Sequence, residues 1–216
     1  MRIGLSFRTL AMAVLLSGQV LAQTAGDSTT SPENVQRPWS FSFSTSGYLI
    51  PNDQSYASPT FAADRRWLHL EARYNYEAQK TGSLWAGYNF SIGEKLSLSA
   101  TPMVGAVFGD TTGVAPGCEL ALAYKKVELS SEIEYVVNTS DHGLNFLYSW
   151  NELVYSPVDW FHAGLVSQRT RAYHTDLDVQ RGFSVGFARK NVDFTTYILN
   201  AGWTQPTVVL AVGFKF

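Results

Sequence analysis

The sequence has few charged residues, a single cysteine and, beyond residue 22, no long apolar run. Charged residues make up 16% of the chain, against about 25% in soluble domains. The lone Cys118 excludes an intrachain disulfide framework. A membrane-spanning helix would need about 20 consecutive apolar residues. The composition is therefore unusual for a soluble domain, and it also argues against a helical membrane protein.

The first 22 residues have the pattern of a secretory signal peptide. Arg2 and Arg8 supply a positive start, residues 10–16 a short apolar core, and residues 20–22 a small-residue cleavage site. Residues 23–37 are polar and without periodicity, which predicts a flexible leader. We expect the folded domain to occupy residues 38–216.

The balance of charge argues against a nucleic-acid partner. Removing residues 1–22 takes away two of the 16 basic residues and none of the 18 acidic ones, which leaves a net charge of −4. Nucleic-acid binding domains are usually basic. Aromatic residues are abundant instead, at 14% of the chain.

From Trp39 onward the chain alternates between apolar and polar residues in segments of about ten. In RWLHLEARYNYE, residues 66–77, one face carries Leu68, Leu70, Ala72, Tyr74 and Tyr76, and the other carries His69, Glu71, Arg73, Asn75 and Glu77. The closing TVVLAVGFKF alternates in the same way. No stretch keeps apolar residues at i, i+3, i+4 and i+7, so an all-β fold is predicted.

The placement of charges decides between a soluble sandwich and a membrane barrel. The polar face carries charges in mid-strand, such as Glu71 and Glu132, whereas the apolar face carries aromatics near strand ends, such as Tyr74, Phe90 and Phe108. Apolar residues outside, polar residues inside and aromatic girdles at both interfaces are typical of transmembrane barrels. We therefore predict a transmembrane antiparallel up-and-down β-barrel.

The links between segments alternate in length, which gives a strand count. Tight links are predicted near residues 93–95, 125–126, 156–159 and 191, and longer ones near 109–117, 138–143 and 172–178. Because bacterial barrels have an even number of strands, residues 39–50 and 56–63 form two strands, and the total is about twelve. Ten strands, with residues 23–65 outside the barrel, is the alternative. A phase slip near Trp150 predicts a β-bulge.

The signal peptide, the alternating strands and the closing VGFKF together resemble the bacterial outer-membrane β-barrel proteins. The resemblance covers about residues 39–216 and concerns architecture, so no site residue carries over from it. It implies a location in the outer membrane, in contact with lipid and lipopolysaccharide. It also implies that Phe214 and Phe216 are recognised by the barrel-assembly machinery.

The inward faces of the predicted strands carry a surplus of acidic residues. The expected lumen residues, and candidates for selectivity, are His69, Glu71, Arg73, Lys125, Glu128, Glu132 and Glu134. A hydrated acidic lumen attracts cations, which favours a small porin-like channel for polar solutes. If the charges pair with one another, the barrel is instead a non-conducting structural or binding component.

Catalysis has weaker support. None of the four histidines, His69, His142, His162 and His174, lies in a recognisable nucleophile motif. Several rim residues could serve a hydrolase: Asp110, Asp141, His142, His174, Asp176 and Asp178. Short loops leave little room for a cleft, however, and such residues are common in turns. The segment HTDLD, residues 174–178, is interpreted as a solvated loop, and we expect no metal or cofactor. The sequence does not indicate an oligomeric state.

Overall fold

The computed structural model describes residues 39–50, 54–172, 178–202 and 206–216. The predicted signal peptide and leader lie outside these residues. Thirteen β-segments follow one another along the chain: β1 Ser40–Leu49, β2 Tyr56–Arg65, β3 Leu68–Tyr74, β4 Thr81–Tyr88, β5 Phe90–Ile92, β6 Leu96–Gly109, β7 Gly113–Tyr124, β8 Val127–Asn138, β9 Phe146–Val158, β10 Phe161–Ala172, β11 Asp178–Arg189, β12 Val192–Leu199 and β13 Thr207–Lys215. A single 3₁₀ turn, His142–Leu144, joins β8 to β9 in the described part of the chain.

The segments form one closed antiparallel barrel. Each segment pairs with its neighbour in sequence except β4 and β5, which both pair with β6, and β1 also pairs with β13. Since β4 and β5 are two parts of one strand interrupted at Asn89, the barrel has twelve strands. The predicted count is confirmed. The ten-strand alternative is wrong, because β1 and β2 lie within the barrel wall.

The outer surface of the barrel is apolar. Large side chains are exposed on every side, including Leu70, Val104, Ile133, Leu165 and Phe183. Stacked aromatic pairs mark the end with the tight turns: Trp39–Phe41, Phe41–Phe61, Phe41–Phe216, Trp67–Tyr88 and Trp160–Phe187. An apolar band edged by aromatic rings is the surface that a lipid bilayer requires. Among the described residues, no helix has the length and apolar character of a membrane span.

Links of different length mark the two ends. Residues 66–67, 125–126, 159–160 and 190–191 form two-residue turns at one end, and Arg66, Lys125 and Lys190 adopt φ near +56° there. The longer links lie at the other end, and bacterial barrels usually have their short turns on the periplasmic side. The link predicted at residues 109–117 contains only residues 110–112, because β7 already begins at Gly113.

Two further local predictions were wrong. β9 pairs with β8 without interruption through Trp150, and the irregularity lies near the tight turn, where the pairing skips between Phe161 and Ala163. Tyr76 was predicted on the outward face but is buried. The reason is that β3 ends at Tyr74 and Asn75 takes a left-handed φ of 55°, which breaks the alternation.

The half of the lumen nearer the longer links is filled by side chains. We call this filling the outer plug; its main members are Tyr48, Val107, Ala115, Val136, Phe146, Tyr148, Trp150, Val166, Tyr197, Leu199 and Val209, all buried in one cluster. Trp150 and Tyr197 meet edge to face, with ring centroids 5.3 Å apart. The hydrophobic core of this protein therefore lies inside the barrel, at one end.

Candidate channel constriction

The inner face of β3 carries charged side chains at the centre of the lumen. Alternation along this short strand directs His69, Glu71 and Arg73 inward, while Leu70 and Ala72 face outward. β4 and β6 continue the wall on one side of β3, followed by β7 and β8, whose inner faces present Glu119, Glu132 and Glu134. Side chains from β3, β7 and β8 thus meet across the lumen.

Arg73 lies at the centre of this charged group. Its guanidinium pairs with Glu71, lies 2.8 Å from Oε1 of Glu132 and 3.4 Å from Oε2 of Glu134, and approaches Oε1 of Glu119 at 3.7 Å. We call these five residues the Arg73 cluster. Arg73 is 5% exposed, and Glu132 and Glu134 are 1% and 2% exposed. The cluster therefore lies buried in the middle of the lumen and constricts it.

Aromatic rings hold the guanidinium in place. Its central carbon lies 4.1 Å from the ring centroid of Tyr76 and 4.7 Å from that of Trp85. The Trp85 ring is itself fixed, because its Nε1–H donates to Oε1 of Glu77 at 3.0 Å. Cation–π contacts of this kind are stronger when, as here, they are shielded from water.

The Arg73 cluster holds more negative than positive charge. Four carboxylates surround one guanidinium, so three negative charges remain uncompensated within the cluster if every carboxyl is ionised. Buried charge is costly unless it is paired or hydrated. Such a group favours positively charged species at the constriction.

Next to the cluster, His69 is held by a chain of polar contacts. Its Nδ1 lies 2.7 Å from Oδ1 of Asp64, and that oxygen also accepts from Nδ2 of Asn89 at 2.6 Å. Oδ1 of Asn89 accepts in turn from the hydroxyl of Thr101 at 2.8 Å. Asn89 is the residue that separates β4 from β5, so the break in the strand provides a link in this chain.

A cavity of about 480 Å³ lies between the cluster and the tight-turn end. His69, Glu71, Arg73, Glu119 and Glu132 form its inner end. Its wall continues through serines and threonines, namely Ser42, Ser44, Thr60, Ser91, Ser99 and Thr101, to Arg66 and Lys215. Since Arg66 and Lys215 are exposed at the tight-turn end, the cavity leads from the Arg73 cluster to that end of the barrel.

On the other side of the cluster the outer plug narrows the lumen. Trp150 and Tyr148 are 0% and 1% exposed. A further carboxylate, Glu152, is enclosed here and accepts hydrogen bonds from Trp150, Ser184 and Tyr197 at 3.2–3.4 Å. The plug is therefore closely packed and its buried acid is satisfied by neutral donors.

The lumen candidates from the sequence divide into three groups. His69, Glu71, Arg73, Glu132 and Glu134 meet at the constriction or beside it, and Glu128 lies half-buried on the inner face of β8. Lys125 does not face the lumen, because β7 ends at Tyr124 and Lys125 forms the exposed turn to β8. The roles of these residues in selectivity stay predictions.

Sequence reasoning missed Glu119. The inward positions of β7 are otherwise small, such as Ala115 and Ala121, so this strand shows little contrast between its faces. The strand pairing assigns Glu119 to the inward face. Ala123 lies opposite Glu128, and Glu119, four residues before Ala123 on β7, lies opposite the inward Glu132.

Comparison with solved structures supports the architecture. The KdgM porin superposes with a TM-score of 0.58 at 10% identity, over 81% of this chain and 99% of that chain, and the KdgM porin in complex with disordered oligogalacturonate gives the same values. The outer membrane protein opdK from Pseudomonas aeruginosa is more distant, with a TM-score of 0.45 at 10% identity, over 79% of this chain and 60% of that chain. No protein-family model and no curated protein sequence matches the chain.

The chain has the architecture of a bacterial outer-membrane β-barrel. In the closed sheet, the backbone N–H and C=O groups of each strand form hydrogen bonds with the neighbouring strands on both sides, as the interior of a bilayer requires. The exposed apolar band and the aromatic girdle of the tight-turn end complete the requirements for insertion. This architecture places the barrel in the outer membrane.

Proposed function

We propose that the chain is a small porin-like channel that prefers cations and is constricted at the Arg73 cluster. The observation that carries this proposal is the acidic cluster in mid-lumen, at the inner end of a polar cavity of about 480 Å³. Rings of carboxylates select cations in membrane pores. Small cationic or neutral polar solutes fit such a lumen best.

The charge of the lumen argues against large anionic substrates. The KdgM porin was solved with oligogalacturonate, which is a chain of carboxylate-bearing sugars. In the present barrel Glu71, Glu119, Glu132 and Glu134 would repel such a chain. We therefore propose a cationic or neutral solute for this protein, despite the shared fold.

A second candidate is a non-conducting barrel with a binding cavity. The outer plug favours it, since Trp150, Leu199 and Val209 are 0% exposed. A lumen filled by side chains is a packed core and not a pore. An enzymatic function is not proposed: the carboxylate of Asp141 at the rim accepts from the backbone N–H of Gly143 and caps the 3₁₀ turn, and Asp176 and His174 lie outside the described residues.

Planar-bilayer recording of the purified barrel separates the two candidates. The channel proposal predicts small, steady conductance steps in KCl. Silence of folded, heat-modifiable protein would contradict it and support the non-conducting barrel.

If the wild type does not conduct, a double variant of the outer plug shows whether the plug is what blocks the lumen. Trp150→Ala with Tyr197→Ala removes two packed rings from the lumen while β9 and β12 keep their outward faces. If the plug alone blocks the lumen, this variant conducts and the wild type does not. The outward substitution Leu153→Ala on the same strand β9 serves as the control, since Leu153 is 45% exposed.

A further inference from the structure

Three potential metal ligands converge beside the Arg73 cluster. His69, Glu71 and Glu119 each offer one nitrogen or oxygen atom, and these three atoms lie within 4.8 Å of one another. They come from β3 and β7, which do not pair, because β4 and β6 lie between them in the barrel wall. The convergence is therefore a tertiary feature and not a consequence of neighbouring positions on a strand.

The contacts of His69 define which nitrogen of the neutral ring carries the lone pair. Asp64 accepts a hydrogen bond from Nδ1 at 2.7 Å, so the proton of a neutral ring belongs on Nδ1 and the lone pair on Nε2. A carboxylate that binds the far nitrogen of a histidine is the usual outer support of a metal ligand. Asn89 and Thr101 hold Asp64 in turn.

This nitrogen, Nε2, is directed at the carboxylates of Glu71 and Glu119. Nε2 of His69 is buried without a hydrogen bond and lies 3.2 Å from Oε1 of Glu71, with the side chain 8% exposed. Oε1 of Glu119 is also buried without a hydrogen bond. Electron pairs that face one another in this way repel unless a positive species lies between them.

Arg73 does not fill this role. Its guanidinium binds the other oxygen of Glu71, Oε2, and lies 3.7 Å from Oε1 of Glu119. Oε1 of Glu71 thus remains directed at His69. With every carboxyl ionised, the cluster also keeps a surplus of negative charge, which an additional cation would reduce.

We propose that His69, Glu71 and Glu119 bind one divalent transition-metal ion, with Zn²⁺ as the best-matched probe. Nitrogen and oxygen ligands bind Zn²⁺ tetrahedrally at about 2.0–2.2 Å, which places two ligands of one ion about 3.3–3.6 Å apart. The three atoms lie within 4.8 Å of one another, so binding requires side-chain rotations that bring them closer together. Imidazole with carboxylates suits such metals better than Mg²⁺ or Ca²⁺, which take oxygen ligands.

The ion can reach the site from the tight-turn end. His69, Glu71 and Glu119 all line the cavity of about 480 Å³. Water in that cavity can complete the coordination. The proposal does not depend on conduction, because it concerns binding from one end of the lumen.

The test is Zn²⁺ binding to the full chain, folded in detergent and freed of metal with EDTA. Competition with a chromophoric chelator in excess Mg²⁺ measures affinity, and elemental analysis after dialysis measures stoichiometry. We expect one Zn²⁺ per chain. His69→Gln and Glu119→Gln should each weaken binding about tenfold or more, since even outer-support residues of metal sites contribute 10–100-fold.

Two matched variants control for general electrostatics. Glu128→Gln makes the same change of charge as Glu119→Gln on the neighbouring strand, and His162→Gln removes another inward histidine, which binds Thr195 at 3.0 Å. Both should bind Zn²⁺ as the wild type does. If the wild type retains no Zn²⁺, a proton on His69 shared with Glu71 fills the site and the proposal is wrong. Equal weakening by Glu128→Gln and Glu119→Gln would likewise overturn it.

Discussion

Replacing Arg73 by Gln should destabilise the barrel more than any exposed charge change. The guanidinium pairs with Glu71 and Glu132, approaches Glu134, and lies against two aromatic rings. Removing one partner of a buried ion pair costs about 3–5 kcal/mol, because the other charge is left unpaired. We expect a loss in this range, towards its upper end, since several carboxylates lose their partner together.

Urea unfolding in lipid vesicles, followed by tryptophan fluorescence, measures this loss. Arg189→Gln is the matched control, because Arg189 is exposed at the end of β11 and surface changes usually stay within about 0.5 kcal/mol. Adding Glu132→Gln to Arg73→Gln should recover part of the loss. Residues in one charged network couple by about 0.5–3 kcal/mol.

Two results would refute this reasoning. One is an Arg73→Gln variant as stable as Arg189→Gln, which would mean that the cluster is hydrated and gains little from the guanidinium. The other is strict additivity of Arg73→Gln and Glu132→Gln, which would mean that the contact of 2.8 Å carries no coupling.

Three further predictions follow from the packing. Val104 faces outward in the middle of β6 and is 53% exposed, so Val104→Arg should lower the free energy of unfolding by about 2–4 kcal/mol. Leu98→Arg should cost less, because Leu98 lies nearer the tight-turn end. Ser99→Arg should cost least of the three, because its side chain enters the polar cavity. Equal urea midpoints for Val104→Arg and Ser99→Arg would show that the assignment of faces is wrong. A Cβ at Gly105 would lie 2.5 Å from the Trp85 ring, whereas one at Gly47 would meet nothing nearer than 3.8 Å. Gly105→Ala should therefore lower the free energy of unfolding by about 1–3 kcal/mol through overpacking. A urea midpoint for Gly47→Ala as low as that for Gly105→Ala would refute the argument. Phe216 pairs with Phe41 through two backbone hydrogen bonds of 2.9 Å, and we propose that the barrel-assembly machinery recognises Phe216. Deletion of Phe216 should reduce the fraction of heat-modifiable, folded barrel in the outer membrane. Normal assembly of the deletion variant would contradict this.

The barrel itself could be predicted from the sequence because the alternation of side chains between two faces is a local property of each strand. Alternation with a period of two assigns each residue of β3 and β8 to a face, and a bilayer outside requires the apolar face outward. The inward positions of Glu71, Arg73, Glu132 and Glu134 follow from this pattern alone. The even strand number then places residues 40–49 and 56–65 in the wall.

The arrangement inside the lumen could not be obtained in this way. Tyr76 enters the lumen from beyond the end of β3, where a left-handed Asn75 replaces the strand geometry. Trp150 has the inward phase of an uninterrupted strand, although the alternation of apolar residues near it indicated a phase slip and hence a bulge. Which charges meet, and whether rings fill the space between them, depends on contacts between strands that are distant around the barrel.

The reversal potential across a planar bilayer in a KCl gradient tests most directly whether the carboxylates of the constriction select cations. The wild type should show a cation-preferring potential, and Glu132→Gln with Glu134→Gln should move that potential towards zero. Glu94→Gln, in an exposed turn, should leave it unchanged. A conducting wild type that prefers anions, or one whose potential is unmoved by the double substitution, would contradict the account.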